Sequence, residues 1–242
     1  MSLLFDTTPD GAGRYIDWIW SGLAWTLSLA FGAWIIALIV GTLVGAARTF
    51  PGGLWPRLGR VYVETFRNVP LLVQMFFWYF ILPELLPQRL GLAIKQMDPP
   101  WGSFVPALIC LGLFTAARIA EQVRAGVQAL PAGQRAAASA LGFSRSGMYR
   151  LILLPQAFRI ILPTLTNEFM TIFKNTSVAL TIGLVELTAT AREINENTFR
   201  TFEAYGVVTV VYLVIALIAW QLMYRIERAA QLPSLVSGSA RR

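Results

Sequence analysis

The sequence predicts an all-α integral membrane protein of five transmembrane helices forming one domain over 1–242, and three observations predict it. Of 242 residues, 56% are hydrophobic and 14% charged, against about 45–50% and about 25% in an average soluble domain, so the surplus apolar surface needs lipid. No charged residue stands between Asp17 and Arg48, a run longer than the roughly 20 residues that cross a hydrocarbon core about 30 Å thick. Largely apolar runs with few charges give spans near 22–47, 61–82, 104–123, 161–183 and 204–224. They are too long and too continuously apolar for the alternating strands of a barrel, and backbone groups in lipid must be satisfied internally.

Ahead of the first span, Met1 to Tyr15 holds Asp6 and Asp10 but neither a basic n-region nor a small-residue cleavage site. It does not read as a secretory signal peptide, and the first span is expected to stay in the mature protein. Span two carries Glu64 and Arg67 at its inner end, three residues apart on one face, where they can pair as a structural contact or take part in transport. Span three contains the single cysteine, Cys110, a packing residue with no partner for a disulfide or thiolate metal site.

Arg118 in span three follows 19 uncharged residues and lies about two turns, roughly 9 Å, before Arg124. It has two readings: a snorkelling or Glu121-bonded arginine, or a guanidinium fork for a carboxylate, and the fork cannot be deprotonated. Span four is the least apolar, interrupted by Asn167, Glu168, Lys174, Asn175, Thr176 and Ser177, with Pro163 near its start. Such groups line a pathway or bind a partner helix, and Glu168 is expected to hold Lys174 or Arg118 when the pathway is empty. Beyond span five, 234–242 is a short Ser, Gly and Arg tail that reads as a disordered end.

The basic residues set the orientation. With the N-terminus outside, the inner segments hold Arg48, Arg57, Arg60, Arg124, Arg135, Arg145, Arg150, Arg159, Arg225, Arg228, Arg241 and Arg242. The outer segments hold Arg14, Arg89, Lys95, Arg192 and Arg200. Twelve against five satisfies the positive-inside rule. The net charge of +7 is spread as punctuation between apolar runs rather than as a basic stripe, which argues against nucleic acid. The absence of histidine removes the commonest general base and metal ligand, so neither catalytic nor metal-ligating residues are expected.

An inner segment of 37 residues, from Arg124 to Ile160, joins spans three and four, which is long for a helix connection in a bundle. Its alanines favour helix, Gly142 suits the left-handed position past a helix end, and Ser144 can cap a second helix limited by Pro155. Small side chains at Ala137 and Ala138 let another surface approach, with Arg135, Arg145 and Arg150 at the edges. The alternative is an amphipathic connector lying on the membrane.

The order Ala137-Ala138, Gly142, then Ile152-x-Leu154-Pro155 resembles the cytoplasmic loop motif of permease subunits of binding-protein-dependent ABC importers. Ala136 stands where that motif usually begins with Glu; the spacing is intact, but alanine offers no carboxylate for a salt bridge to an ATPase. Glu64-Thr65-Phe66-Arg67-Asn68-Val69-Pro70-Leu71-Leu72-Val73-Gln74, Glu121-Gln122-Val123-Arg124 and Lys174-Asn175-Thr176-Ser177 extend the resemblance over about residues 20 to 225, in the polar amino acid branch. Phe76-Phe77-Trp78-Tyr79-Phe80, Gly133-Gln134-Arg135 and Ile172-Phe173-Lys174-Asn175 are similar to the glutamate and aspartate permeases within it.

The resemblance implies a type I importer permease with a two-helix cytoplasmic coupling loop near 131–155. It implies a second permease subunit, the same or homologous, a pair of ATPase subunits at the loop, and a periplasmic substrate-binding protein, in a bacterial inner membrane with the C-terminus cytoplasmic. Gln134, Arg135, Ala137, Ala138, Gly142, Leu154 and Pro155 are the expected coupling residues. Arg118, Glu168, Lys174, Asn175, Thr176 and Ser177 are the expected substrate pathway, and Glu64, Arg67, Glu121 and Arg124 the expected structural or gate ion pairs. The chain has no Gly-x-x-x-x-Gly-Lys-Ser/Thr loop, so ATP and Mg are assigned to the partner ATPase. The expected cargo is an acidic amino acid, with glutamine or a basic amino acid as alternatives. An ion-driven secondary transporter predicts internal repeats that are not visible, and an intramembrane enzyme lacks histidine and paired active-site acids.

Overall fold

The computed structural model describes residues 3–9, 11 and 13–230; the tail at 234–242, expected to be disordered, lies outside them. The described residues are helical apart from turns, loops and one isolated bridge between Thr7 and Arg14. Helix α1, Tyr15–Ala47, has 33 residues and is about 50 Å long. Asp17 accepts the Arg14 N–H at its first turn. Gly22, Thr26, Ala30, Ala33, Ala37, Gly41 and Gly45 form its buried side, a spacing that lets backbones approach closely. A Cβ at Gly45 would stand 2.6 Å from the Ala120 carbonyl oxygen, and one at Gly41 2.8 Å from Ile119.

Helix α2, Leu54–Asn68, does not continue straight. Pro70 lacks an N–H and drives Val69 into an extended conformation, and the chain turns 106° into the helical run Leu71–Leu85. The span expected over 61–82 is therefore a bent pair. Gln74 fastens the bend, its Nε2 donating to the carbonyls of Phe66 and Val69 at 2.8 Å each. The second limb is α3, Leu71–Phe76, a π-helical turn at Phe77–Ile81, and α4, Leu82–Leu85. A short helix α5, Gln88–Lys95, follows, tied back by a Lys95–Glu84 ion pair.

The central helix is α6, Trp101–Gln128, against which α1, α2 and the later helix α9 all pack. After α6 come α7, Ala132–Ala140, and α8, Arg145–Met148. The chain then passes through a second π-helical turn, Tyr149–Leu153, into α9, Leu154–Asn175. Each π turn ends two residues before a proline, Pro83 or Pro155. Proline has no N–H to give the carbonyl four residues back and its ring crowds that carbonyl, so the backbone widens instead of breaking. Pro155 was expected to limit the second loop helix; it sits in the first turn of α9, and α8 runs on into span four.

Residues Thr176–Ile182 tighten into a 3-10 helix that ends at Gly183, whose φ of 82° suits glycine. Helix α10, Leu187–Thr198, and α11, Thr201–Ala230, complete the described chain. The buried Glu186 caps α10, its Oε1 accepting from the N–H groups of Thr188 and Ala189, while Oε2 accepts from Tyr212 at 2.7 Å.

Among the described residues, α1, α6 and α11 are long and apolar enough to cross a membrane, with a fourth crossing if the bent pair counts as one. Helix α9 is long enough, with 22 residues or about 33 Å, but Arg159, Glu168 and Lys174 interrupt it.

Candidate functional site

Two polar clusters lie along α6. Toward its C-terminus Glu121 gathers two cations: Arg48, at the end of α1, donates to Oε2, and Arg124, one turn on, donates to Oε1. Arg124 also reaches Gln128. One turn toward the N-terminus of α6, Arg118 donates through Nε to Oε2 of Glu168 on α9 at 2.7 Å. Gln122 Nε2 donates to the other oxygen of Glu168 at 3.0 Å, and the single proton of Thr164 Oγ1 is shared between the Ile161 carbonyl at 2.7 Å and Gln122 Oε1 at 3.1 Å. The Glu168 side chain is 7% exposed and that of Arg118 44%, so the acid is enclosed between helices and the base reaches the surface. Three guanidinium groups meet two carboxylates, an excess of one positive charge.

Beside Arg118 runs an unusual face of α9. Thr164, Asn167 and Lys174 are exposed and Thr171 half-exposed, at intervals of three and four residues that align them on one side of a helix. A lipid-facing side would be apolar, whereas polar groups at membrane depth face a cavity or a partner. An apolar cleft of about 600 Å³ between α1 and α11, floored by Phe169 and Phe173, offers a charged solute no partner.

Several expected contacts are absent or different. Glu64 and Arg67 are both exposed and form no ion pair with each other among the described residues. Arg118 does not bond Glu121, which Arg48 and Arg124 already fill, and Glu168 takes Arg118 rather than Lys174. Asn175 and Ser177 are half-exposed, Ser177 donating to the Lys174 carbonyl. Thr176 is fully buried and donates to the Phe173 carbonyl, so it faces the core and not the polar side of α9. Arg48, Gln122 and Thr164 were not singled out from sequence; Arg48 and Thr164 lie at or near span ends, where polar residues carry no signal of their own.

The loop between α6 and α9 exposes small and apolar side chains. Leu141 closes α7, Gly142 takes φ 77°, and the Ser144 hydroxyl accepts the Gly147 N–H. Ala136, Ala137 and Pro155 are exposed, Arg135, Gln134 and Leu154 half-exposed, and Ala138 is buried. Leu141 is 76% exposed with Phe143 beside it, an apolar tip among arginines. The loop is fastened at two points. Gln156 on α9 donates to Gln134 on α7 at 3.3 Å, and Tyr149 in the π turn shares a 2.7 Å hydrogen bond with Thr49 just after α1.

With this geometry in view, residues 37–231 match the family model of the binding-protein-dependent transport system inner membrane component. The chain belongs to that family. The permease is 43% identical over 237 residues to the glutamate/aspartate import permease protein GltJ of Escherichia coli, covering 98% of this chain and 96% of that protein. It is 36% identical over 191 residues to the glutamine transport system permease protein GlnP of Escherichia coli, covering 79% and 83%. Among solved structures, the crystal structure of an amino acid ABC transporter with histidines is similar at 32% identity and a TM-score of 0.73, covering 89% of this chain and 95% of that one. The permease is thus a multi-pass inner-membrane subunit of the amino acid ABC transporter class. Family membership implies an ATPase and a substrate-binding partner, and a permease subunit is not itself catalytic.

Proposed function

We propose that this permease carries an acidic amino acid, glutamate or aspartate, inward across the membrane past Arg118 and the polar side of α9. The single observation that carries the reading is the half-exposed guanidinium of Arg118 on the surface of a membrane-spanning helix, beside a polar helix face and one turn from a Glu121 cluster in which two guanidinium groups share one carboxylate. An anion is favoured by that net positive charge, and the likeness to a glutamate/aspartate permease supports the same cargo.

In this reading five segments cross: α1, the bent pair, α6, α9 with its 3-10 extension, and α11, with the N-terminus outside and the C-terminus in the cytoplasm. A second permease subunit, the same or homologous, faces the polar side of α9. A periplasmic binding protein delivers the substrate, and a pair of ATPase subunits, holding ATP and Mg, docks on α7, Leu141 and Phe143. ATP binding moves the loop, and the loop moves α9 against α6; only contacts that differ between the two states can shift that equilibrium.

A glutamine permease is the second reading, favoured by the likeness to GlnP and by the amide and hydroxyl groups of Gln122, Asn167 and Thr171. ATP-dependent uptake of radiolabelled glutamate, with glutamine and arginine as competitors, tests the two in vesicles holding the chain with its partners. Glutamate uptake that falls with Arg118→Ala while the ATPase still co-purifies supports the acidic pathway. Uptake of glutamine or arginine without glutamate overturns the acidic assignment.

A further inference from the structure

Arg118 is held by one edge only. Its Nε is bonded to Glu168, while Nη1 and Nη2 have no hydrogen bond among the described residues. Glu168 is itself fixed, because its second oxygen takes the Gln122 amide, whose own oxygen takes the Thr164 hydroxyl. The carboxylate of Glu168 only accepts, so it turns the NH2 end of the Gln122 amide toward itself; the Thr164 hydroxyl, whose one proton lies between the Ile161 carbonyl oxygen and Gln122 Oε1, supports the other end of the amide. The amide in turn fixes the carboxylate, and the carboxylate fixes the rotation of the guanidinium. Glu168 is enclosed between α6 and α9, so an arriving anion cannot draw it out without breaking both its bonds.

The edge left open is the pair of terminal nitrogens, two parallel donors that match the two oxygens of a carboxylate. A carboxamide offers that edge one acceptor and turns its NH2 donors against the other nitrogen. We propose that Gln122, with Thr164 behind it, is a positioning residue that locks Arg118 in the orientation favouring a carboxylate over a carboxamide at this point of the pathway. The inference rests on the acidic amino acid reading and names what makes it selective.

The test is equilibrium binding of radiolabelled glutamate and glutamine to the purified permease–ATPase complex in lipid nanodiscs, without the binding protein, whose own selectivity then cannot enter. The parent is expected to prefer glutamate. Gln122→Leu should weaken glutamate binding by about tenfold, the scale of one lost hydrogen bond to a charged group, and leave glutamine binding unchanged. Thr164→Val, at an exposed site where the fold tolerates it, should move glutamate binding in the same direction by less. Arg118→Lys keeps the charge without the fork and should lose the preference. If the parent prefers glutamate and both Gln122→Leu and Thr164→Val weaken the two ligands alike, or neither, the positioning role is wrong and the acidic reading stands. A parent with no preference for glutamate, including one that binds neither ligand, overturns both.

Discussion

Replacing Arg118 with Met strips Glu168 of its only cation and leaves an enclosed carboxylate, 7% exposed, with the Gln122 amide as sole partner. Breaking a buried pair from the side that keeps the enclosed charge costs about 3–5 kcal/mol. The opposite deletion, Glu168→Leu, frees a guanidinium that is already 44% exposed and can complete its hydration. Its loss is that of one charge-assisted hydrogen bond discounted for solvent, roughly 1–2 kcal/mol. Removing both partners leaves no uncompensated charge, so Arg118→Met with Glu168→Leu should be more stable than Arg118→Met alone. Unfolding of the purified chain in mixed micelles, followed by tryptophan fluorescence, reads all four species of this cycle. Equal costs for the two single substitutions, or a double variant that loses the sum of them, would refute the assignment of Glu168 as the enclosed member.

Three further outcomes follow from the same geometry. Gln74→Leu removes both side-chain bonds across the bend after α2 and should destabilise the chain by about 1–3 kcal/mol, read as a lower unfolding midpoint. Burial pushes the Glu186 carboxyl above the ordinary carboxylate range, with the hydrogen bonds from Tyr212, Thr188 and Ala189 pulling it partly back. A raised folded-state pKa means that the folded chain holds the proton more tightly. Its stabilising effect is complete below the unfolded value of about 4.3 and is lost as pH rises through the raised value. Glu186→Gln should flatten that part of the thermal stability profile, and an unchanged slope would show that another group causes it. Tyr149→Phe severs the bond to Thr49, which keeps its own bond to the Ala46 carbonyl. Stability should change by only about 1 kcal/mol, while amino acid uptake per ATP hydrolysed falls; unaltered coupling would remove Tyr149 from the transmission path.

What the sequence made legible follows from how lipid constrains a chain. An apolar run long enough to cross is visible without any partner, and α1, α6 and α11 fall on the expected runs. The bend after α2 was not visible as a bend, because a span placed by length over 61–82 reads straight through Pro70. The Gly142 and Ser144 signals located the end of α7 and the start of α8, since both are local chemistry of one or two residues. The continuity of α8 into α9 escaped because the π turn before Pro155 lets a helix survive a residue that ordinarily stops it. Spacing on one helix suggested Glu64 with Arg67 and Arg118 with Glu121. Tertiary packing left Glu64 and Arg67 unpaired with each other, gave Glu121 to Arg48 and Arg124, and joined Arg118 to Glu168, 50 residues away in sequence, which was one of the two partners expected for that carboxylate. Thr176 reads as polar yet lies in the core, because a threonine hydroxyl can satisfy itself on the carbonyl one turn back.

The two fastenings of the inner loop and the Arg118 cluster belong to one mechanical unit. From Gln156 to Glu168 is twelve residues of a single helix, about 18 Å, with Pro163 inside it, so the loop contact at Gln134 and the Glu168 carboxylate ride on one element. Tyr149 ties the base of the same helix to Thr49 at the end of α1, and Arg48 ties that end to Glu121 on α6. α1 and α6 in turn pack closely through Gly41 and Gly45. In the proposed cycle they form the wall against which α9 moves, and α9 is the member with an exposed polar face, a widened π turn at its base and an attachment to the loop. Motion between α9 and that wall falls across the bonds from Arg118 and Gln122 to Glu168. In the proposed reading, the residues that orient Arg118 toward a carboxylate are also the ones placed to register a movement of the loop, so that one polar cluster would couple the choice of cargo to the step that moves it.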